Sequence, residues 1–249
     1  MKKKLALLCA ASAMGSAAPA CAQSGPFAAA PVQIADDTTL DLIVDGMLRY
    51  ETVSQPDTPL QDADALTFRM RSGAELVSHG FFVLGEAEAT LAIVDNYNDT
   101  IPGNGIEPYP VVPDPENVEL NRLQIGYKSK AGTLTVGRQR IIHDDHRFVG
   151  NVGWRQNEQT FDAVRAQGKI GPVALDATYA ISQRTIFGID SPNAHFDGDM
   201  ILLNGGIDVK IAQVKAFAYL LDYDEEKPGR LVYSSQSYGF RAMGAVPIG

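Results

Sequence analysis

FFVLGEAEATLAIV, residues 81–94, alternates with a period of two. Phe81, Val83, Ala87, Ala89, Leu91 and Ile93 fall on one face; Glu86, Glu88 and Thr90 fall on the other. That period belongs to a strand, since a helix repeats every 3.6 residues. The run is long for a soluble strand, which usually has about 5–6 residues. Its polar side carries full charges rather than hydroxyls and amides.

The same pattern recurs on both sides of it. In LDLIVDGMLRYE (40–51), Leu40, Leu42, Val44, Leu48 and Tyr50 oppose Asp41, Asp45, Arg49 and Glu51, with Ile43 and Met47 as exceptions. Leu66, Phe68, Met70, Ala74 and Leu76 oppose Thr67, Arg69, Arg71 and Glu75. Leu123, Ile125 and Tyr127 oppose Arg122, Gln124 and Lys128. VALDATYAIS (173–182) and ILLNGGIDVK (201–210) alternate likewise, and KAFAYLLDY and SYGFRAMGA do so less cleanly. Counting GTLTVGRQR and TFDAVRA, about ten strands are expected.

The connections set the architecture. Tight gaps fall near 79–80, 130–132, 168–172 and 210–212. Long gaps rich in Pro, Gly, Asn and Asp fall at 54–64, 95–118, 143–159, 184–198 and 224–235. Short and long in alternation is the rhythm of an up-and-down meander with its long loops at one end. A soluble sandwich or barrel would turn the apolar faces inwards. A transmembrane β-barrel turns them to lipid and lines an aqueous lumen with the polar ones. Long strands, charged polar faces, and aromatics near strand ends (Tyr50, Phe81, Tyr127, Tyr223, Tyr238) favour the membrane barrel. The predicted fold class is therefore all-β, an antiparallel up-and-down transmembrane β-barrel. The last residues, AVPIG, do not form the aromatic-ended strand usual in bacterial barrels. This favours a piece of a larger barrel over a small closed one with an unusual ending.

The first residues read as an export signal. Lys2, Lys3 and Lys4 precede the short apolar run LALLCAASAMGSAA, and ACA at 20–22 fits a small-x-small cleavage site. A lipoprotein with Cys21 acylated fits less well, because Ala18-Pro19-Ala20 precedes it. The expected organisation is a signal peptide over 1–22, a periplasmic segment over 23–39 and a barrel over 40–249. Cleavage removes Cys9 and Cys21, the two cysteines of the chain, so sheet closure and membrane must supply the stability that disulfides supply elsewhere. Losing three lysines and no acids takes the formal charge from −9 to −12. An acidic chain argues against a nucleic-acid partner.

One stretch is denser in functional side chains than any other: GRQRIIHDDHRFVGNVGWRQNEQTFDAVR, residues 137–165, with the single Trp of the chain. Its words GRQR, HDDHRFVG and WRQNEQTFDAV, in that order, resemble the alginate-export-like family of bacterial outer-membrane porins. The likeness is densest over 137–164 and runs more loosely from the first strand to GFRAMG. It implies a large monomeric barrel with an arginine-lined, anion-preferring pore, passing anionic small molecules or an acidic polysaccharide. Members of the family are longer than this chain. Arg138, Arg140, Arg147, Trp154, Arg155 and Asp162 match family positions, with Arg147 and Arg155 as the foremost pore or loop-anchor arginines.

Three chemistries compete for the cluster. His143, Asp144, Asp145 and His146 have ligand side chains for Zn²⁺ or Cu²⁺, but lie on a predicted loop beside Arg147 with no HExxH spacing. Asp145, Glu158 and Asp162 offer carboxylates for acid–base work, yet no nucleophile motif or Gly-rich phosphate loop accompanies them. The third reading is electrostatic. Arginine forks stay charged and pair with planar anions, so a ladder of them lowers the barrier for anions. Arg49, Arg69, Arg71, Arg122 and Lys128, on polar faces of earlier strands, join it as lumen candidates. The bland alternative is that these ions only pair with each other. Trp154 reads more readily as a packing anchor than as a sugar platform. Arg138 and Arg140 share parity with apolar Leu134 and Val136, so either a bulge at Gly137 re-phases them or they snorkel at the rim. The loop 95–118 reads as a solvated surface loop.

The expectation is thus a non-enzymatic porin for anionic solutes or acidic saccharides, without cofactor or metal. Its lining includes Arg69, Arg71, Arg122, Arg138, Arg140, Arg147, Trp154, Arg155 and Asp162. Its partners are outer-membrane lipid and the barrel assembly machinery, and it works as a monomer. A barrel enzyme, or a structural or adhesion barrel with a plugged lumen, are the alternatives.

Overall fold

The computed structural model describes residues 30–209, 211–224 and 233–245. The signal-peptide expectation for 1–22 lies outside them. Eleven strands form one sheet in chain order: β1 (Val32–Ala35), β2 (Thr38–Val53), β3 (Ala63–Ser78), β4 (Phe81–Asn96), β5 (Asn117–Lys128), β6 (Gly132–Gln139), β7 (Phe161–Ile170), β8 (Val173–Arg184), β9 (His195–Val209), β10 (Ala212–Tyr223) and β11 (Ser235–Gly244). Every described neighbour pair is antiparallel, and β1 and β11 are the two edges of an unclosed sheet. Ten of these strands are the expected ones. The eleventh, β1, is four residues long and starts pairing at Val32, inside the segment expected to be periplasmic.

The alternation settles which face is which. On β4, Phe81, Val83, Leu91 and Ile93 are exposed, whereas Glu86, Glu88 and Thr90 on the opposite face are buried. That is the reverse of a soluble protein, in which water-facing residues are polar. Leu42, Val44, Leu48, Leu123, Ile125, Ile181 and Phe240 continue the exposed apolar surface across the other strands. Lipid is the solvent that suits it, and the hydrogen-bonded ladders satisfy the backbone within it. Ile43 and Met47, the exceptions on β2, stand opposite Gly73 and Arg69 on the inward face.

Turns at 36–37, 79–80, 129–131 and 171–172 lie at one end; connections at 54–62, 97–116, 140–160 and 185–194 lie at the other. His79 and Gly80 adopt positive φ to make one of these tight reversals. Phe81 and Tyr127 meet at the short-turn end, ring centroids 4.8 Å apart. Tyr50 at the long-loop end donates to Asp64 at 2.6 Å. Tyr223 departs from the expected aromatic girdle. It is buried on the inward face, in a cluster with Ile141, Val149, Phe161, Met200, Leu202 and Tyr219.

Two register details place functional side chains. At β4–β5 the pairing shifts between Glu86 and Ala87, leaving Asn121 as an extra residue and turning both it and Arg122 inwards. At Gly137, by contrast, the register runs straight through: Leu123 pairs Arg138, Gln124 pairs Gly137 and Ile125 pairs Val136. There is no bulge to re-phase Arg138. Gly137 serves close approach instead, since a Cβ there would sit 2.3 Å from the Leu123 carbonyl oxygen.

Candidate functional site: an inward loop and its arginines

The chain between β6 and β7 does not reach into solvent as an ordinary surface loop does. Its second half, Arg155–Glu158, lies against β2–β5. Its first half, Ile141–Val149, lies against β8, β10 and β11. The loop straps the inward face of the sheet.

The second half is fixed by hydrogen bonds to β3, β4 and the β4–β5 and β8–β9 connections, and within the loop itself. Gln156 donates through Nε2 to Thr67 Oγ1 at 2.7 Å and to the Thr67 carbonyl at 2.9 Å, and its backbone N–H donates to Asp114 Oδ1 at 2.9 Å. Asn157 accepts from Thr90 at 2.9 Å and donates to the Ile186 carbonyl at 3.2 Å. Glu158 accepts from Arg140, at 2.5 Å to each oxygen, and from Asn151 at 2.7 Å; Arg71 stands 3.5 Å away. Gln156, Asn157 and Glu158 are almost completely buried. Burial alone would raise the Glu158 pKa; Arg140 and Arg71 outweigh it and bring it down to about 2.

The first half is held differently. Ile141 and Val149 enter the apolar cluster of β7–β10. Phe148 packs on Phe217 at 5.1 Å, and His143 stacks on Tyr219 at 5.8 Å. Asp144 accepts from Lys215 at 2.5 Å, and Arg241 is 3.8 Å from it. His143 is buried, and desolvation lowers its pKa to about 4 despite nearby Asp176. Its 4.0 Å approach to Asp176 therefore involves a neutral imidazole at neutral pH, not an ion pair. His146 Nδ1 faces the Asn151 carbonyl at 3.2 Å. Asp145 shares Arg241 with Asp144, at 3.6 Å, while the two histidines turn to other partners, and no group of three or more metal-ligating side chains occurs among the described residues.

The expected lining residues separate into three groups. Arg69, Arg71, Arg122, Arg140 and Arg155 face inwards. Arg122 grips Glu86 with two bonds at 2.8 and 2.6 Å. Arg71 pairs with Glu88, Arg69 with Asp45, and Arg155 with Glu51 at 3.1 Å and Asp114 at 3.4 Å. Arg147 and Trp154 lie exposed on the strap, Arg147 5.8 Å from the Phe148 ring. Arg138 and Asp162 bond at 2.8 and 2.9 Å, but on the parity of Val136 and Val164, the outward face. Their place at the long-loop end of β6 and β7 makes them a rim pair, which corrects the expectation that they line the lumen. Arg140 escapes the same fate because β6 ends at Gln139, freeing the next residue to turn in.

Sequence reasoning missed Asp114, Gln156, Asn157, Asn121 and Thr90 as loop holders. The unbroken polar run RQNEQT before β7 was the available signal: such a run has to be solvated or fully hydrogen-bonded, and here it is bonded.

An up-and-down sheet with lipid-facing apolar residues, charged inward faces and an inward strap defines an outer-membrane β-barrel of the porin class. Residues 61–184, from the approach to β3 through β8, match the family model described as alginate export. No curated protein matches. Among solved structures, the chain is similar to OccAB3 of Acinetobacter baumannii, with TM-score 0.54 and 14% identity over 85% of this chain and 59% of that one. It is also similar to OccAB1 of the same organism, with TM-score 0.51 and 12% identity over 75% of this chain and 44% of that one. At such identity the likeness concerns the fold, and the chain spans 59% of the first structure and 44% of the second. The protein is an outer-membrane β-barrel protein.

Proposed function

We propose that the protein passes small anionic solutes or acidic saccharides, by passive diffusion or export, and that the β6–β7 strap forms the constriction. One observation supports the anion preference. In several of the inward pairs the carboxylates are deeper than the guanidinium groups they bind. Side-chain exposure is 16% for Arg49 and 14% for Arg155 against 0% for Asp114, 11% for Arg71 against 0% for Glu88, and 21% for Arg140 against 4% for Glu158. The wall behind is negative and the layer towards the lumen is positive. Asp45 and Glu51 on β2 and Asp176 on β8 are more exposed than their arginine partners and temper this. Arg147 adds an exposed cation on the strap, and Trp154 an exposed ring beside Arg155.

Arg69, Arg71, Arg122, Arg140, Arg147 and Arg155 are thus the lining cations, with Trp154 beside them; Arg138 and Asp162 belong to the rim. Export through the 1–22 signal, assembly by the barrel machinery and a monomeric state complete the proposal. The test is proteoliposome swelling with matched organic anions, cations and neutral sugars. Faster uptake of anions is expected, and equal rates for all three would contradict anion preference. The strap also favours a second reading, a barrel with a plugged lumen, which predicts no swelling with any solute.

A further inference from the structure

We propose that Asp114, on the loop between β4 and β5, is the positioning residue that sets the charge presented by the constriction strap. Its carboxylate is fully buried. Oδ2 accepts from Arg49 at 2.6 Å and from Arg155 at 3.4 Å, and Oδ1 accepts the backbone N–H of Gln156 at 2.9 Å. One side chain thereby joins a barrel strand, a long loop and the strap. It holds the strap by its backbone and aims Arg155 by its charge.

The support behind Asp114 does not depend on its side chain. The Asp114 N–H donates to the Val112 carbonyl at 2.8 Å, and the Asp114 carbonyl accepts from the Tyr97 hydroxyl at 2.7 Å. Tyr97 and Val112 are buried with Ala63 and Ala65 at the long-loop end of β3. The loop is therefore a fixed pillar, and a change at the carboxylate leaves the pillar standing. The charges around it balance as two arginines, Arg49 and Arg155, against two carboxylates, Asp114 and Glu51. Neutralising Asp114 leaves one positive charge in excess beside the lumen. An Asn side chain keeps an oxygen for the Gln156 amide; an Ala side chain does not.

The inference rests on reading the strap as the constriction, and the test separates the two. The full chain is reconstituted in planar bilayers under a KCl gradient as wild type, Asp114→Asn, Asp114→Ala and Arg155→Gln, each checked for heat-dependent gel mobility. Asp114→Asn is expected to raise the chloride-over-potassium permeability ratio by about twofold or more at little changed conductance. Asp114→Ala is expected to add larger, noisier conductance as the strap loses its anchor. Arg155→Gln is expected to lower the ratio. If Arg155→Gln moves the ratio while Asp114→Asn leaves it at the wild-type value, Asp114 only fills space and the proposal is overturned. If neither moves it, the strap is not the constriction and both readings fall. Should Asp114→Ala not fold, the Asp114→Asn arm still decides.

Discussion

Arg140 and Glu158 close the two ends of the β6–β7 strap on each other, with both nitrogen–oxygen contacts at 2.5 Å. Glu158 also draws on Arg71 of β3 and Asn121 of β5, so the same carboxylate clamps the loop and ties it to the wall. Removing one member of a buried ion network leaves the others uncompensated, at a cost of about 3–5 kcal/mol. Glu158→Ala is expected to release the strap. Trp154, the single Trp of the chain, reports this directly. Its fluorescence anisotropy should fall in the variant; unchanged anisotropy would mean that the strap is held without Glu158.

Acid should loosen the two halves of the strap at different pH. The folded state lowers the His143 pKa from the ordinary 6.5 to about 4. The unfolded loop then binds more protons between these values, so the stability supplied by neutral His143 is full above about pH 6.5 and is lost as pH falls towards 4. Glu158 is depressed to about 2 from 4.5, so its contribution is full above 4.5 and disappears only as pH falls through that lower window. Hydrogen exchange of residues 141–150, corrected for its intrinsic pH dependence, should accelerate first, before residues 155–158. The group around His143 is Asp176, Arg165, Asp144, Lys215 and the Tyr219 ring. His143→Phe should flatten the first transition, and a transition of undiminished size there would assign it to another of these groups.

Arg138 and Asp162 lie outside the lumen, so neutralising Asp162 should leave ion selectivity alone. Asp162→Asn is expected to lower the temperature at which the folded gel band disappears, with an unchanged reversal potential. A shifted reversal potential would put the pair back among the lining residues.

Ala89 sits halfway along β4 on the lipid side, and Phe81 sits at its short-turn end. An arginine at the bilayer midplane of a barrel costs about 2–4 kcal/mol, against about 0–1 near the interface. Folding titrations into lipid vesicles should therefore show Ala89→Arg to be clearly more damaging than Phe81→Arg. Equal penalties would contradict the assignment of that face to lipid.

Much of the barrel was legible because a strand's period is two: an alternating charge pattern such as that of 81–94 fixes element, faces and neighbours together. Ile43 and Met47 looked like flaws in the pattern and proved to be inward residues, since lumen packing tolerates apolar side chains. Asn121 could not be placed, because the bulge that turns it inwards depends on a partner strand some thirty residues away. Arg138 was misplaced for the opposite reason: family position named it as a lumen residue, while simple parity had put it outside. The strap's anchors stayed hidden because polar loop residues read as solvated until a wall of partners surrounds them. Asp114 and Gln156 are 42 positions apart in the chain, and nothing in either local sequence announces the contact.

The central claim is that inward arginines of the strap select the permeating ion. Its most direct test is the reversal potential of single channels of the full chain in planar bilayers under a KCl gradient, compared between wild type and Arg155→Glu. Wild type should prefer chloride, and Arg155→Glu should shift the reversal potential towards potassium, or past zero, because a lining charge is inverted where the strap meets β2. An identical reversal potential in both proteins would contradict the claim and leave Arg155 as a strut for its own carboxylates.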